Sequence, residues 1–138
     1  MCIRDRFYNP TVLAVTVSDK LTGQDLKDRI DTVNALQFER VGTQLGAQAI
    51  AVVNDSGTAD AFAAAAEAVK QNGKLAVILV SDSPEAMAAA VAKTGGTPPL
   101  LAAAKLDTAE AMAKIAKENK CPLVAKAQSI DDLSLIHI

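Results

Sequence analysis

The sequence predicts an α/β fold in which βα units repeat along the chain and their strands form a parallel sheet. Short apolar runs begin near residues 49, 75, 100 and 122, a repeat of about 22–26 residues. Each run is apolar at successive positions, which is typical of parallel strands that are covered on both faces. Small polar residues follow the runs, and the first three lead into alanine-rich segments with helical spacing.

The first elements are predicted from β-branched runs and helix signals. Thr11–Val17 is rich in β-branched residues and predicts a strand. A capping pattern then precedes an apolar stripe, which predicts a helix that ends near Leu36. The segment 38–42 is expected to continue in a second, helical turn. Ala49–Val53 is predicted as the first strand of the regular repeat.

The later elements follow the same alternation. The next helix is predicted over 58–71 and the next strand over Leu75–Val80. Ser83-Pro84-Glu85 has the order of an N-cap, an N1 proline and a first-turn acid, so a helix should begin there and end at Lys93. The remaining predicted elements are a strand over Leu100–Ala103, a helix from Asp107 or Thr108 to Asn119, a strand over Pro122–Ala125 and a helix start at 129–132.

Repeated βα units form either a (β/α)₈ barrel or an open doubly wound sheet, and periodicity does not separate the two. The informative residues are about half of the ~250 that a (β/α)₈ barrel contains. We therefore predict a partial (β/α)₈ TIM barrel, seen as an open, curved sheet of about five strands. An open doubly wound parallel sheet is the alternative.

Both ends of the sequence look non-native. Met1–Arg6 and Ser134–Ile138 resemble translated adapter sequence, and neither has the apolar region and small-residue cleavage site of a signal peptide. We expect one native domain segment, 7–133, that is part of a longer protein. The first six residues carry two basic side chains and one acidic, so without them the formal charge changes from −2 to −3.

The residues between 7 and 133 limit the possible chemistry. The histidine His137 and the cysteine Cys2 lie in the two end segments, which leaves Cys121 and no histidine. A Ser–His or Cys–His nucleophile pair, a zinc site of the Cys/His type and a four-cysteine iron–sulfur site are therefore excluded for this segment. We assign no catalytic residue and no metal ligand.

Composition and charge exclude further classes. No apolar run approaches the ~20 residues that cross a bilayer. The slight acidity, without a basic patch and interleaved aromatic residues, is unlike a nucleic-acid-binding protein. A single internal cysteine fits a reducing compartment, so we expect a cytoplasmic protein.

Six short motifs occur in an order and at a spacing that resemble one known family. They are Phe-Tyr-Asn-Pro (Phe7–Pro10), Val-Ser-Asp (Val17–Asp19), Phe-Glu-Arg-Val-Gly (Phe38–Gly42), Asn-Asp-Ser-Gly (Asn54–Gly57), Pro-Leu-Leu (Pro99–Leu101) and Cys-Pro-Leu (Cys121–Leu123). Together they resemble the barrel domain of the large (gamma) subunit of the corrinoid iron–sulfur protein, which belongs to the acetyl-CoA decarbonylase/synthase complex. The resemblance covers nearly all of 7–133. One departure is Ala102–Leu106, where the family has an aromatic residue after the Leu-Leu pair.

The resemblance implies a methyl carrier of anaerobic one-carbon metabolism, the Wood–Ljungdahl pathway. The family passes a methyl group from methyl-tetrahydropterin or methyl-tetrahydrofolate, through a corrinoid, to acetyl-CoA synthase. Its [4Fe–4S] cluster and its cobamide lie in an N-terminal and a C-terminal domain, which are not in this segment. The implied partners are the small (delta) subunit, acetyl-CoA synthase and a methyltransferase. The segment itself would be a scaffold without a cofactor of its own.

Six residues at predicted strand ends could bind a ligand or a partner. They are Asn54, Asp55, Ser56, Gly57, Ser81 and Asp82. Ligands of α/β folds bind at the carboxyl ends of the strands, and a helix N-terminus can hold an anion. The simpler interpretation is that these residues form turns and helix caps.

Two other functions stay open beside the scaffold. One is a small-molecule barrel enzyme of the aldolase type, with a Schiff base on Lys105 or Lys126. A solvated loop lysine is the simpler interpretation, because nothing nearby in sequence would lower its pKa. The other is a stand-alone ligand-binding α/β domain. Cys121 is interpreted as a packing residue, and Glu39 with Arg40 as a surface pair or an interface contact.

Overall fold

The computed structural model describes residues 11–129 and residue 131. These residues form seven strands and four helices. The strands are β1 (Ala14–Ser18), β2 (Gln37–Arg40), β3 (Thr43–Gly46), β4 (Ala49–Val53), β5 (Ala76–Val80), β6 (Leu100–Ala104) and β7 (Leu123–Ala125). The helices are α1 (Gly23–Asn34), α2 (Ala59–Asn72), α3 (Pro84–Lys93) and α4 (Ala109–Asn119).

Five strands form one parallel sheet in the order β1-β4-β5-β6-β7. Each βα unit therefore adds its strand on the same side of the preceding one. Because βα crossovers are right-handed, this order places the four helices on one face, and each helix contacts the next along the chain. A doubly wound sheet reverses its strand order and carries helices on both faces, and residues 11–129 show no such reversal.

The face of the sheet that meets the helices forms the hydrophobic core. One register row across the sheet consists of Val17, Val52, Leu79 and Leu101, and all four are buried. The helices cover this face with the buried side chains Phe62, Ala65, Ala66, Val69, Met87, Ala90 and Met112. Many of these helical positions are alanines, which let the helices lie close to the sheet and to one another.

The opposite face of the sheet carries small residues at the amino ends of the strands. Ala14, Ala49 and Ala76 lie side by side in one register row of this face. They border a mainly apolar cavity of about 660 Å³ at the amino ends of the strands, whose walls also include Leu75, Leu100 and the lysines Lys70 and Lys74. The sheet is open at both edges within the described residues, with β1 and β7 as its outermost strands.

The predicted alternation of strands and helices is confirmed, including the parallel five-stranded sheet. The strand Ala49–Val53 has the predicted bounds, and the other elements begin and end within a few residues of theirs. The cap at the start of α3 is also as predicted. The Ser83 hydroxyl accepts a hydrogen bond from the amide of Ala86, and Pro84 is the first helical residue.

The prediction of a helical turn over 38–42 was wrong. This segment belongs to an antiparallel hairpin of β2 and β3, which pair from Gln37 opposite Gly46 to Arg40 opposite Thr43. The reversal uses two residues with positive φ, Val41 at 51° and Gly42 at 72°. Both end segments and most of the helix start predicted at 129–132 lie outside the described residues.

One strand of the parallel sheet is irregular. The pairing of β6 with β7 shifts register between Ala102 and Ala104, and Ala103 between them has a φ of 81°. A bulged residue of this kind bends its strand and increases the local twist. The bend lies just before the loop that carries Lys105.

Candidate functional site

Asp19, at the carboxyl end of β1, holds the loop that follows β4. Its side chain is buried, with only 1% of the residue exposed. One carboxylate oxygen accepts the amide N–H groups of Asp55 and Ser56, each at 2.9 Å. The other accepts the Ser56 hydroxyl at 2.5 Å. A buried carboxylate is stable when its oxygens are hydrogen-bonded in this way, so the bonds tie the ends of two neighbouring strands together.

Asn54, in the same loop, makes a second set of hydrogen bonds that reaches the end of β5. Its amide group donates to the Ser81 hydroxyl at 3.0 Å, and its carbonyl oxygen accepts the Gly57 N–H at 3.0 Å. The second bond closes an Asx-type turn, and Gly57 adopts a positive φ of 73° in it. The Ser81 hydroxyl also accepts the N–H of Ser83, the residue that caps α3. The loops after β4 and β5 are therefore fixed by their own side chains.

Asp82 and Lys105 connect the ends of β5 and β6. The lysine Nζ lies 2.5 Å from an Asp82 carboxylate oxygen, and both side chains are about half exposed. The hydrogen bond to Asp82, and then its negative charge, raise the pKa of Lys105 above the ordinary value of 10.5. A lysine that forms a Schiff base needs a lowered pKa, so this environment does not activate Lys105 as a nucleophile.

A cavity of about 400 Å³ lies beyond this ion pair, at the carboxyl ends of β6 and β7. It is lined by Lys105, Leu106, Asp107, Lys126, Ala127 and Gln128. Two lysines and an aspartate give the cavity mixed charge. The cavity has room for a small polar group of a ligand or for a side chain of another protein.

The six residues predicted as a ligand or partner site lie together at the carboxyl edge of the sheet. Two sets of hydrogen bonds hold them: Ser56 and the Asp55 amide bond to Asp19, while Asn54 bonds to Ser81 and to the Gly57 amide. Asp82 lies at the same edge but pairs with Lys105 instead. Most of their polar groups form hydrogen bonds or an ion pair within the fold. The side chains of Asp55 and Asp82 are the exposed carboxylates of the set.

Asp19 is the residue of this edge that sequence reasoning misses as a functional position. The Val-Ser-Asp motif assigns it only to the end of the first strand. The available signal was the placement of an acid directly after a strand whose neighbour in the sheet ends in Asn-Asp-Ser-Gly. The contact spans more than 30 residues along the chain, so no local pattern reveals it.

The other residues singled out from the sequence have simpler surroundings. Cys121 is buried at the amino end of β7, and burial raises the pKa of its thiol. Glu39 accepts a hydrogen bond from Gln44 across the hairpin at 3.2 Å. Among the described residues, no group of three His, Cys, Asp or Glu side chains could hold a metal ion.

Comparison with known proteins gives the family. A family model described as CO dehydrogenase/acetyl-CoA synthase delta subunit, CdhD, matches residues 3–136. The chain belongs to this family. The family model carries the name of the delta subunit, whereas the curated relatives are named as corrinoid/iron–sulfur large subunits and decarbonylase/synthase gamma subunits. These relatives confirm the resemblance drawn from the six sequence motifs.

Three relatives illustrate the similarity. The corrinoid/iron-sulfur protein large subunit of Moorella thermoacetica is 38% identical over 94% of this chain and 29% of its own length. The acetyl-CoA decarbonylase/synthase complex subunit gamma of Methanothermobacter thermautotrophicus is 41% identical over 86% of this chain and 26% of its length. The corresponding Methanopyrus kandleri subunit is 34% identical over 92% of this chain and 28% of its length. The chain thus spans between a quarter and a third of the relatives it matches.

The helices of the described residues give no indication of a membrane span. None of them is both long enough and apolar enough to cross a bilayer.

Proposed function

We propose that this chain is a scaffold and partner-binding segment of a corrinoid iron–sulfur methyl carrier. The whole protein would pass a methyl group from methyl-tetrahydropterin or methyl-tetrahydrofolate to acetyl-CoA synthase, during synthesis or cleavage of acetyl-CoA. The observation that carries this proposal is the similarity over 94% of the chain to a protein named corrinoid/iron-sulfur protein large subunit. The internally hydrogen-bonded loops at the carboxyl edge support a structural part in that protein.

The five-stranded sheet would be part of a (β/α)₈ TIM barrel. The strand order without reversal and the helices on one face are what a barrel segment requires. The face of the sheet opposite the helices would be turned inward in such a barrel, where side chains from all strands fill the interior. Further strands would come from the part of the longer protein outside this chain.

The cofactors of such a carrier would be bound elsewhere in the longer protein. A [4Fe–4S] cluster needs cysteine thiolates, and Cys121 is the single cysteine of residues 11–129, buried in the core cluster. The chain therefore does not fit the cluster. No histidine stands between residues 7 and 133 to offer an axial ligand to the cobalt of a cobamide.

The proposed partners are the small (delta) subunit, acetyl-CoA synthase and the methyltransferase that loads the carrier. Asn54, Asp55, Ser56, Gly57, Ser81 and Asp82 form the proposed contact region for a ligand or partner at the carboxyl edge. The exposed carboxylates of Asp55 and Asp82 are the groups of this region that a partner would meet first. We place the protein in the cytoplasm, in contact with neither membrane nor nucleic acid.

Metal analysis and methyl transfer on the longer polypeptide test this function. The polypeptide that contains this segment would be purified without oxygen and incubated with methyltransferase and ¹⁴C-labelled methyl-tetrahydrofolate or methyl-tetrahydropterin. We expect the purified protein to contain cobalt and iron and to become labelled. A protein that contains neither metal and accepts no label would contradict the proposal.

A further inference from the structure

The carboxyl end of α2 carries the single Asn-Gly pair of the sequence, Asn72-Gly73. Asparagine is a thermolabile residue, because the backbone nitrogen of the next residue can attack its side-chain amide. The attack is easiest when the next residue is glycine, since no Cβ then shields the nitrogen or restricts the backbone around it. By sequence alone, Asn72 is therefore the asparagine of this chain that should lose its amide group most readily.

The folded structure holds both reacting groups in other contacts. The Gly73 N–H donates a hydrogen bond to the carbonyl oxygen of Val69 at 2.7 Å, which closes the last turn of the helix. The Nδ2 group of Asn72 donates to the carbonyl oxygen of Ala68 at 2.8 Å, so the side chain is turned back along α2. The nitrogen and the side-chain carbon can react only after both hydrogen bonds have opened.

Asn34, the last residue of α1, holds this helix end from outside. Its Nδ2 group donates to the carbonyl oxygen of Asn72 at 3.0 Å. Its Oδ1 atom accepts the N–H of Lys74 at 3.3 Å. The two bonds therefore flank the Asn72-Gly73 peptide on both sides. Helix ends open more easily than helix centres, so bonds that fix an end decide how often it opens.

The fold also requires the glycine that makes Asn72 reactive. A Cβ atom at residue 73 would collide with the carbonyl oxygen of Val69. The close approach of these backbone groups leaves room for glycine but not for a side chain. The chain thus has its most reactive type of asparagine pair at a position where another residue after Asn72 would disturb the helix end.

We propose that Asn72 is a latent deamidation site, which the end of α2, held by Asn34, protects and which reacts when this end opens. In the open state the Gly73 nitrogen loses its proton and attacks Cγ of Asn72. The Cγ–Nδ2 bond breaks, and Nδ2 leaves as ammonia with a proton in place of the one that Gly73 has lost. Water then opens the five-membered succinimide ring at either carbonyl and leaves aspartate or isoaspartate at position 72. This chemistry needs neither cofactor nor partner, so it does not depend on the proposed function.

The product favours further opening of the helix end. A carboxylate at position 72 has no N–H to donate to the carbonyl oxygen of Ala68. Its negative charge also lies at the carboxyl end of α2, where the helix macrodipole is negative and repels it. Isoaspartate lengthens the backbone by one carbon before Gly73, which moves the Gly73 N–H out of register with Val69. The modification is therefore a lasting record that this end of α2 has opened.

Peptide mass spectrometry of the full-length polypeptide tests the protection. The protein is incubated in mildly alkaline buffer, folded or unfolded in guanidinium chloride, and digested at intervals. Asn72 should change at least about tenfold more slowly in the folded protein, because only the open fraction reacts. Asn119 is the matched control, since it also ends a helix and donates to the carbonyl oxygen four residues before it, but is followed by Lys120. In the unfolded chain Asn119 should react clearly more slowly than Asn72. Equal rates at Asn72 in the two states, or at the two asparagines in the unfolded chain, would overturn the proposal.

A substitution at Asn34 tests the contact that holds the helix end. Asn34→Ala should raise the rate at Asn72 several-fold in the folded protein and leave it unchanged in guanidinium chloride, because only the opening step is affected. Gln24→Ala is the control on the same helix, since the Gln24 side chain bonds to Asp28 and not to α2. It should leave both rates as they are. The rate at Asn119 in the same digests reports whether each variant stays folded. An unchanged rate at Asn72 in folded Asn34→Ala would contradict the assignment of Asn34 as the protecting residue.

Discussion

At the scale of single residues, Asp19 contributes more to the carboxyl edge than any residue chosen from the sequence. It is buried, and its two oxygens receive three hydrogen bonds from the loop after β4. Bonds to a charged acceptor are stronger than neutral ones, and their donors would lose a partner if the carboxylate were removed. These hydrogen bonds therefore stabilise the fold, and the groups that form them are not free to bind a ligand.

Replacement of this carboxylate tests that conclusion. Asp19→Ala should lower the free energy of unfolding by about 2–3 kcal/mol, because the amides of Asp55 and Ser56 lose their acceptor. Urea unfolding followed by circular dichroism measures the change. Asp55→Ala is the matched control and should be nearly neutral, since the Asp55 side chain is exposed and only its amide contacts Asp19. Equal losses for the two variants would contradict the account.

The ion pair of Lys105 and Asp82 should contribute little to the stability of the fold, and its contribution should depend on pH and on salt. The pKa of Lys105 is raised by its partner, so the stabilisation is complete below the ordinary value of 10.5 and is lost as the pH rises through the higher folded-state pKa. Salt should screen the pair because both side chains are about half exposed.

Thermal unfolding of Lys105→Met checks this expectation. The variant should have a slightly lower Tm than the unmodified protein in low salt at neutral pH. The difference should disappear in about 1 M salt, where the Debye length is ~3 Å, and also at a pH above the raised pKa. Lys126→Met serves as the control, since Lys126 forms no ion pair with a described residue. A large loss of Tm that persists in salt would refute the assignment of a weak surface pair.

At the scale of elements, the strands and helices follow from local patterns and the hairpin does not. The strand Ala49–Val53 and the Ser83-Pro84 helix start have strong signals within a few residues, and both are observed where expected. Residues 38–42 mislead because the turn uses Val-Gly in place of the usual Asn-Gly signal. The contact between Asp19 and the loop after β4 could not be predicted either, since it depends on which strands become neighbours.

The helix caps offer a direct comparison at this scale. Ser83 accepts a hydrogen bond from the amide of Ala86, whereas Thr22, the N-cap of α1, makes no side-chain cap bond. Ser83→Ala should therefore lower the free energy of unfolding by about 1 kcal/mol. Thr22→Ala should lower it by clearly less, as measured in the same urea titrations. If the two losses were equal, the Ser83 bond would not be a stabilising cap.

At the scale of the whole molecule, the strand order and the family similarity both favour the interpretation of this chain as a segment of a larger protein. Sequential strands with all helices on one face form an arrangement that a barrel can complete, and the curated relatives are three to four times as long as the matched segment. The edges β1 and β7 would otherwise leave backbone groups unpaired.

Under the proposed function, this segment supports the methyl carrier without holding its cofactors. Cys121 is the single thiol between residues 7 and 133, so it is the one side chain here that could bind the cluster. The most direct measurement is the iron and cobalt content of the full-length protein with Cys121→Ala, purified without oxygen and compared with the unmodified protein. We predict the same content of both metals per folded chain. A loss of iron in the folded variant would contradict the claim.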